Sequence, residues 1–308
     1  MILSNFSNTD YHMDWYKDSS LEAFLGQVPL DGIELFLHGK MTVDESLRKH
    51  TKGIHLTYYP TWIDFYAGNP RYKEDFPDEE SLRYAFGGSH PNAILERYRE
   101  EHQVAKDLGV GYMVFHVGHV QLKDVFRREF AYSDQEVLDQ TIDLVNKVFV
   151  EDSHEWLLFE NLWWPGLNLL DKDKLEYFMG KINYKKKGLM LDLSHLLLTD
   201  SNITSYGQAK EYIMERLRNL GDACRYIKGI HINYSKHHDY LTSQAFKDNR
   251  DEHKIYSHIG GLDQHLPYED EGLKDIIDFL QPLYKVIEVK AMDKDQWEGA
   301  ILKQMRYL

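Results

Sequence analysis

Side chains that can bind a metal ion stand near the ends of several short apolar runs. Six consecutive runs each carry at least one imidazole or carboxylate, in the order His55, His116, Glu160, Asp192 with His195, His231 and Glu288. Such groups are costly to bury in apolar surroundings unless something pairs with them. Carboxylate oxygen and imidazole nitrogen suit Zn²⁺, Mn²⁺ or Fe²⁺, so the pattern predicts a divalent-metal site. For each group taken alone, the alternative is a core polar residue held by an ordinary hydrogen bond or ion pair.

Asp263 and His265 form a further pair between the last two of these runs. Residues two apart point to the same side of an extended segment, so both side chains can reach one ion. Because Pro267 follows and such sequences are common in loops, a surface turn is the alternative.

The apolar runs that must position these groups are short, bounded by Gly or Lys, and rich in β-branched or aromatic residues, which indicates strands. The eight predicted strands are Ile2–Phe6, Gly32–Leu37, Gly53–Tyr58, Tyr112–Val117, Trp156–Asn161, Gly188–Leu193, Lys228–Asn233 and Lys285–Val289. Helical patterns separate them, and strand followed by helix, repeated eight times, predicts an α/β fold of the single (β/α)₈ TIM barrel type. The active site of such a barrel lies at the carboxyl ends of the strands, where the candidate ligands fall.

Helix signals support this alternation. Ser133 and Glu136 have the spacing of a capping box, and Gly109 suits the position just after a helix over Asn92–Leu108. No linker rich in Pro, Gly or Ser divides the chain. We therefore expect residues 1–308 to form a single domain.

One long stretch, Pro60–Pro91, follows the third predicted strand without a regular pattern. Its aromatic residues are Trp62, Phe65, Tyr66, Tyr72, Phe76, Tyr84 and Phe86. Long loops inside a compact domain are usually functional, so we expect an aromatic lid over the mouth of the barrel.

The order His, His, Glu, Asp-x-x-His, His, Asp-x-His, Glu along the chain resembles the xylose isomerase-like TIM barrel superfamily, from about Gly32 to Glu288. That group includes sugar isomerases and epimerases and the endonuclease IV type of abasic-site nuclease. Its isomerases and epimerases usually hold one metal ion with a Glu, an Asp, a His and a second Glu. The resemblance implies that the corresponding ligands here are Glu160, Asp192, His231 and Glu288.

The endonuclease IV type has further ligands that build a trinuclear zinc site. The residues of matching type here are His55, His116, His195, Asp263 and His265. The segment HINYSK, from His231 to Lys236, is similar to HLNDSK in that type, with Tyr234 in place of the acid. The resemblance therefore implies two or three divalent ions, Zn²⁺ or Mn²⁺. It departs at Trp163 and Trp164, where the nuclease type carries small polar residues.

Three functions fit this ligand set, and the first is favoured. A multinuclear metallo-hydrolase of the phosphoesterase type would use Glu160 to bridge two ions and Lys236 to contact a phosphate of a small substrate. A sugar isomerase or epimerase would use one metal, with Glu160 and Glu288 moving a proton. Aromatic side chains would stack on its sugar, with plain packing as their alternative role: Tyr58, Tyr59, Trp62, Trp163 and Trp164. The third function is a non-catalytic metal-binding protein.

Charge and composition limit the partners. Lys and Arg number 36 against 50 Asp and Glu, a net charge of −14, whereas nucleic-acid binding depends on cationic contacts with phosphates. No run approaches the ~18 apolar residues of a membrane span, and no targeting segment is evident, so we expect a cytoplasmic protein without a membrane partner. The single cysteine, Cys224, excludes an intramolecular disulfide.

We predict that duplex DNA containing an abasic site is not cleaved at physiological salt. The net charge of −14 repels the phosphate backbone at long range. Within 60–91, three basic residues (Arg71, Lys73, Arg83) are outnumbered by five acidic ones (Glu74, Asp75, Asp78, Glu79, Glu80). The measurement is cleavage of a labelled abasic duplex, and cleavage that disappears in E160Q would contradict the prediction.

Overall fold

The computed structural model describes residues 1–18, 20–126, 129–150, 153–249 and 254–308. Eight parallel strands form a closed barrel in chain order, with the last strand pairing to the first. The strands are β1 Ile2–Ser7, β2 Gly32–Phe36, β3 Thr51–His55, β4 Tyr112–His116, β5 Trp156–Glu160, β6 Lys187–Asp192, β7 Ile227–Ile232 and β8 Tyr284–Ile287. The predicted (β/α)₈ barrel is confirmed.

Helices lie between the strands. They are α1 Asp10–Asp14, α2 Leu21–Leu25, α3 Glu45–Arg48, α4 Ile63–Tyr66, α5 Glu79–Phe86, α6 Asn92–Leu108, α7 Asp134–Val148, α8 Lys172–Lys181, α9 Leu193–Leu197, α10 Tyr206–Leu220, α11 His237–Thr242, α12 Gln244–Asp248, α13 Ile255–Leu262, α14 Gly272–Leu280 and α15 Lys294–Gln304. The capping box of Ser133 and Glu136 starts α7, and Gly109 ends α6 with a φ of 64°. In the described ranges, no helix has the length and apolarity needed to cross a membrane.

Strand β3 is where the predicted bounds fail most, because it ends at His55 rather than Tyr58. The N–H of Leu56 still donates to the carbonyl of Val114 on β4. The next N–H, that of Thr57, donates instead to the buried carboxylate of Glu101 on α6, at 3.0 Å. A side chain thus takes the hydrogen bond that a neighbouring strand would have made, and the chain leaves the sheet.

Inward-facing side chains change from apolar to polar along four of the strands. The lower barrel interior is filled by Leu3, Tyr112, Val114, Leu158, Met190, Tyr284 and Val286. Because side chains on one face of a strand recur every two residues, the positions two beyond Val114, Leu158, Met190 and Val286 also face the barrel axis. Those positions are His116, Glu160, Asp192 and Glu288. The apolar layer therefore lies directly beneath these candidate ligands.

The segment Pro60–Pro91 is not the long irregular loop that its sequence predicts. It contains α4, α5 and a short 3₁₀ helix between them. Trp62, Phe65 and Phe86 are buried in the core, and the rings of Phe65 and Phe86 stack at 4.4 Å, whereas Tyr84 is exposed. Core packing thus accounts for the buried aromatic residues of this segment, and a lid over the mouth is not confirmed.

A buried histidine next to this segment makes stability depend on pH. His119 is 1% exposed, and its Nδ1 accepts the main-chain N–H groups of Trp62 and Ile63 at 3.2 and 3.4 Å. Burial lowers the pKa of His119 from 6.5 to about 4. Protonation would also convert the accepting nitrogen into a donor, so it costs both hydrogen bonds.

We predict that the free energy of unfolding falls as the pH drops from about 6.5 towards 4. The unfolded chain takes up the proton first, because the folded pKa is the lower one. H119N places an amide oxygen near the accepting nitrogen, so between about pH 7 and pH 4.5 it should lose about 2 kcal/mol less stability than wild type. Denaturant titrations at several pH values measure this difference, and parallel curves for the two proteins would contradict it.

Candidate metal centre

The nine predicted ligands lie together at the carboxyl end of the barrel. Their ligand atoms fall into three groups, each within 4.8 Å: His55, His116 and Glu160; Glu160, Asp192, His231 and Glu288; and His195, Asp263 and His265. Glu160 belongs to two of the groups. His195 connects the third group to the others, because its Nδ1 lies 3.2 Å from Glu160 Oε1.

Glu160, the last residue of β5, is the centre of the arrangement. Its side chain is fully buried, with Oε2 3.3 Å from His55 Nε2 and Oε1 3.3 Å from both His116 Nε2 and His231 Nδ1. Its two oxygens thus face different sets of imidazoles, so the carboxylate could help to hold more than one cation. Burial tends to raise the pKa of Glu160, but His116 and His231 outweigh it and hold that pKa well below the usual range.

His231, at the end of β7, points its Nδ1 at three carboxylates. The nearest oxygens of Glu288, Glu160 and Asp192 lie 3.2, 3.3 and 3.8 Å away. Asn233 holds two of these carboxylates, since its Nδ2 donates to Asp192 Oδ2 at 2.7 Å and to Glu288 Oε2 at 3.1 Å. Its Oδ1 accepts the N–H of Ser194, which fixes the amide orientation.

The Asp-x-x-His spacing has a local structural cause. Asp192 is the N-cap of α9, and its side chain accepts the N–H of His195 at 2.6 Å. Capping therefore places both side chains over the end of β6. Asn161 anchors the turn by accepting the N–H of Asp192 and donating to its carbonyl.

The third group lies on the segment after α13. Asp263 Oδ2 is 2.7 Å from His265 Nε2 and 3.3 Å from His195 Nε2. His265 has a φ of 49°, so the segment is not the extended one that its spacing predicted. Such backbone strain costs about 1–3 kcal/mol for a non-glycine residue and clusters at functional sites. Hydrogen bonds between Tyr234 and Leu266 tie the segment to the end of β7.

Main-chain carbonyls orient two of the imidazoles. His55 Nδ1 lies 3.0 Å from the carbonyl oxygen of Leu56, and His195 Nδ1 lies 2.9 Å from that of Asn161. Donation of Nδ1–H leaves the Nε2 lone pair of each ring facing the site. Metal-ligating histidines are commonly held in this way, which fixes their tautomer.

The residues fit a metal centre on two counts. Three ligand atoms are buried without a hydrogen-bond partner among the described residues: Glu160 Oε1, His231 Nδ1 and Asp263 Oδ1. The donor set, imidazole nitrogen with carboxylate oxygen, matches divalent transition metals. Any of the three groups could hold one ion, and so could a fourth group, formed by Glu34, His55 and His231.

The electrostatics also attract positive charge. Burial lowers the pKa of His195, His231 and His265, but neighbouring carboxylates outweigh it, so that the first two rise well above 6.5 and that of His265 rises to about 10. Burial raises the pKa of Asp192 to about 7. The site thus binds protons unless another cation neutralises its carboxylates.

Sequence reasoning missed Glu34. This residue lies on β2, is 1% exposed, and has its carboxylate 3.1 Å from His231 Nε2. It was not predicted because it stands inside the strand, two residues before its end, whereas the predicted ligands stand at strand ends. The signal was present, since GIELF puts one carboxylate in an otherwise apolar run. Asn161 and Asn233 escaped because their amides are not ligand types.

A cavity of about 1070 Å³ opens above the three groups. Tyr58 packs 4.5 Å from the ring of His116, and Trp163 packs 5.1 Å from that of His195. Four of the predicted substrate contacts line the cavity: Tyr58, Tyr59, Trp163 and Trp164. Trp62 lies outside it, donating its Nε1–H to the carbonyl of Gly118, and Lys236 is exposed outside it.

A family model for the xylose isomerase-like TIM barrel matches residues 30–308. No curated protein matches the sequence. Endonuclease IV from Thermus thermophilus is 14% identical, with 99% of this chain and 98% of that chain covered and a TM-score of 0.55. The probable 3-DHS dehydratase AsbF from Bacillus anthracis is 12% identical (99% and 97% covered, TM-score 0.55), and a D-tagatose 3-epimerase-like protein is 16% identical (99% and 96%, 0.52). At these identities the similarity shows a shared barrel.

We predict that the protein, purified without chelator, carries at least two transition-metal ions per chain, because three ligand groups share one buried site. The double variant D263N/H265N removes the third group and should lower the saturated metal content by about one ion. Elemental analysis after metal supplementation measures both values. One ion or fewer in the wild type would contradict the multinuclear interpretation.

Proposed function

The chain belongs to the xylose isomerase-like TIM barrel family, and we propose that it is a multinuclear metallo-hydrolase acting on a small phosphoester. The observation that carries this proposal is the third ligand group. An isomerase of this family needs only the group around Glu160, Asp192, His231 and Glu288. The additional groups put ligand atoms for further ions in the same site.

Charge balance supports more than one ion. Glu160, Asp192, Asp263 and Glu288 carry four negative charges when ionised, twice the charge of one divalent cation. Buried charge without compensation costs several kcal/mol per group. Three divalent cations would instead leave the site with a net positive charge, which suits an anionic phosphoryl group.

The chain's own residues supply the framework for hydrolysis. Glu160 faces two ligand groups, and Asn233 holds Asp192 and Glu288 in place by donating to both. Bound divalent cations would polarise the phosphoryl oxygens and lower the pKa of a nearby water. Tyr58 and Trp163 limit the access of bulk water to the imidazoles that they cover.

The cavity favours a small substrate. Its volume of about 1070 Å³ is slightly above the range of ordinary small-molecule sites, and aromatic side chains form part of its walls. Lys290 is the one Lys or Arg among the described residues that line it. We assign the phosphate contact to Lys290 in place of Lys236, which lies outside the cavity, and a single cation suits one phosphate better than a DNA backbone.

A sugar isomerase or epimerase is the second candidate. The group of Glu160, Asp192, His231 and Glu288 is complete in itself and contains the two carboxylates that such an enzyme needs for proton transfer. Trp163 and Trp164 line the same cavity and could stack on a sugar ring.

We predict that the metal-loaded protein hydrolyses a small phosphodiester or phosphomonoester, and that E160Q lowers kcat at least ~100-fold, because it removes a carboxylate shared by two ligand groups. Bis(p-nitrophenyl) phosphate and a panel of sugar phosphates are suitable probes. The matched control is E155Q, since Glu155 is also fully buried but precedes β5 at the opposite end of the barrel.

The variant D263N/H265N separates the two candidates. A hydrolase that uses the third group loses most of its activity, whereas an epimerase keeps it. Exchange of a carbon-bound sugar proton in D₂O, followed by NMR, reports the epimerase reaction directly. Proton exchange without phosphoester turnover would overturn the hydrolase proposal, and metal binding with neither reaction would leave the non-catalytic alternative.

A further inference from the structure

His231 differs from His55 and His195 in how its ring is held. Those two histidines have Nδ1 next to a main-chain carbonyl and direct Nε2 to the site. His231 is reversed, because its Nδ1 faces the carboxylates of the site and its Nε2 faces Glu34. The Nε2 atom lies 3.3 Å from Glu34 Oε2, to which it donates, and 3.1 Å from Oε1.

The register of three neighbouring strands brings Glu34 next to a hydrogen-bond donor. The pairing register aligns Glu34 of β2 with Gly53 of β3, and Gly53 with Tyr112 of β4. A Cβ at Gly53 would lie 2.2 Å from the Tyr112 ring, so only glycine lets that ring lie across β3. The Tyr112 hydroxyl thereby reaches Glu34 Oε2 and donates to it at 2.8 Å.

Both neighbours of Glu34 present hydrogen atoms to it. Burial and the nearby Glu34 raise the pKa of Tyr112 well above 10, so the phenol stays neutral and donates. With the Tyr112 hydroxyl on one side and His231 Nε2–H on the other, the carboxylate accepts from both. Glu34 is 1% exposed, so solvent does not compete for these bonds.

We infer that Glu34 is a positioning residue of the metal centre: by accepting Nε2–H it fixes the His231 tautomer whose Nδ1 lone pair faces Glu160, Asp192 and Glu288. The inference rests on the proposed metal centre and assigns Glu34 a role within it. A carboxylate behind a ligating imidazole makes that imidazole a stronger donor, and loss of such a partner typically costs 10–100-fold in metal affinity.

Two other roles for Glu34 make different predictions. If the residue only fills the barrel interior, its variants change stability and leave metal affinity unchanged. If it is itself a ligand, as its proximity to His55 and His231 allows, its loss lowers the number of ions bound at saturation. A positioning residue changes affinity while the saturated number stays the same.

The test is a Co²⁺ titration of the full-length protein, followed by visible absorption and by competition with a chelator, in E34Q, E34A and Y112F. Glutamine keeps an acceptor for Nε2–H without the charge, so E34Q should weaken the His231-containing site by about tenfold and E34A by up to about 100-fold. Y112F, which removes only the second donor to Glu34, should have a smaller effect than E34Q. If E34A does not fold, E34Q and Y112F carry the comparison.

The control is E155Q, which neutralises a buried carboxylate that contacts a histidine, His102, away from the site. It should leave Co²⁺ affinity and the absorption spectrum as in wild type. Equal affinities in E34Q, E34A and wild type, or a smaller saturated stoichiometry in E34Q, would overturn the inference and leave the proposed function standing. A wild-type protein that binds no Co²⁺ or Zn²⁺ would overturn both.

Discussion

The concentration of negative charge in a buried space is the constraint on which this structure depends. Four carboxylates, those of Glu160, Asp192, Asp263 and Glu288, meet at the end of an apolar barrel, and Glu34 lies just beneath them. Their mutual repulsion would oppose folding unless imidazoles, amide donors and cations offset it. The hydrogen bonds at the end of the barrel hold these charged groups in a single arrangement.

Strand periodicity and helix capping determine where these charged groups lie. The barrel brings ligands from six strands together, and in four of these strands the ligand stands two residues beyond a side chain of the apolar layer. At two places the local backbone conformation brings a second ligand close to the first. Asp192, as the N-cap of α9, lies next to His195, and the left-handed conformation of His265 directs its side chain towards Asp263. Low sequence identity to solved barrels is compatible with this arrangement, since the fold requires only the pattern of apolar and polar positions along the strands.

The barrel and the grouping of polar strand ends could be predicted because both follow from short-range patterns. Glu34 could be noticed as the one carboxylate in the run GIELF, but its contact with Tyr112 could not be predicted, since it arises from a register across β2, β3 and β4 that no local pattern encodes. The end of β3 failed for a similar reason, because Glu101, distant in sequence, captures the N–H of Thr57. The aromatic residues in 60–91 do not distinguish a core from a lid, because stacking rings occur in both.

Closure of the barrel by β8 has a consequence for biosynthesis. The ligands extend from His55 to Glu288, and β8, which positions Glu288, pairs with β1 at the very start of the chain. Contacts between residues so far apart in sequence form late, because long loops must close first. Metal acquisition would therefore follow translation of β8, and a nascent chain lacking β8 would present an incomplete ligand set to any cation that it meets.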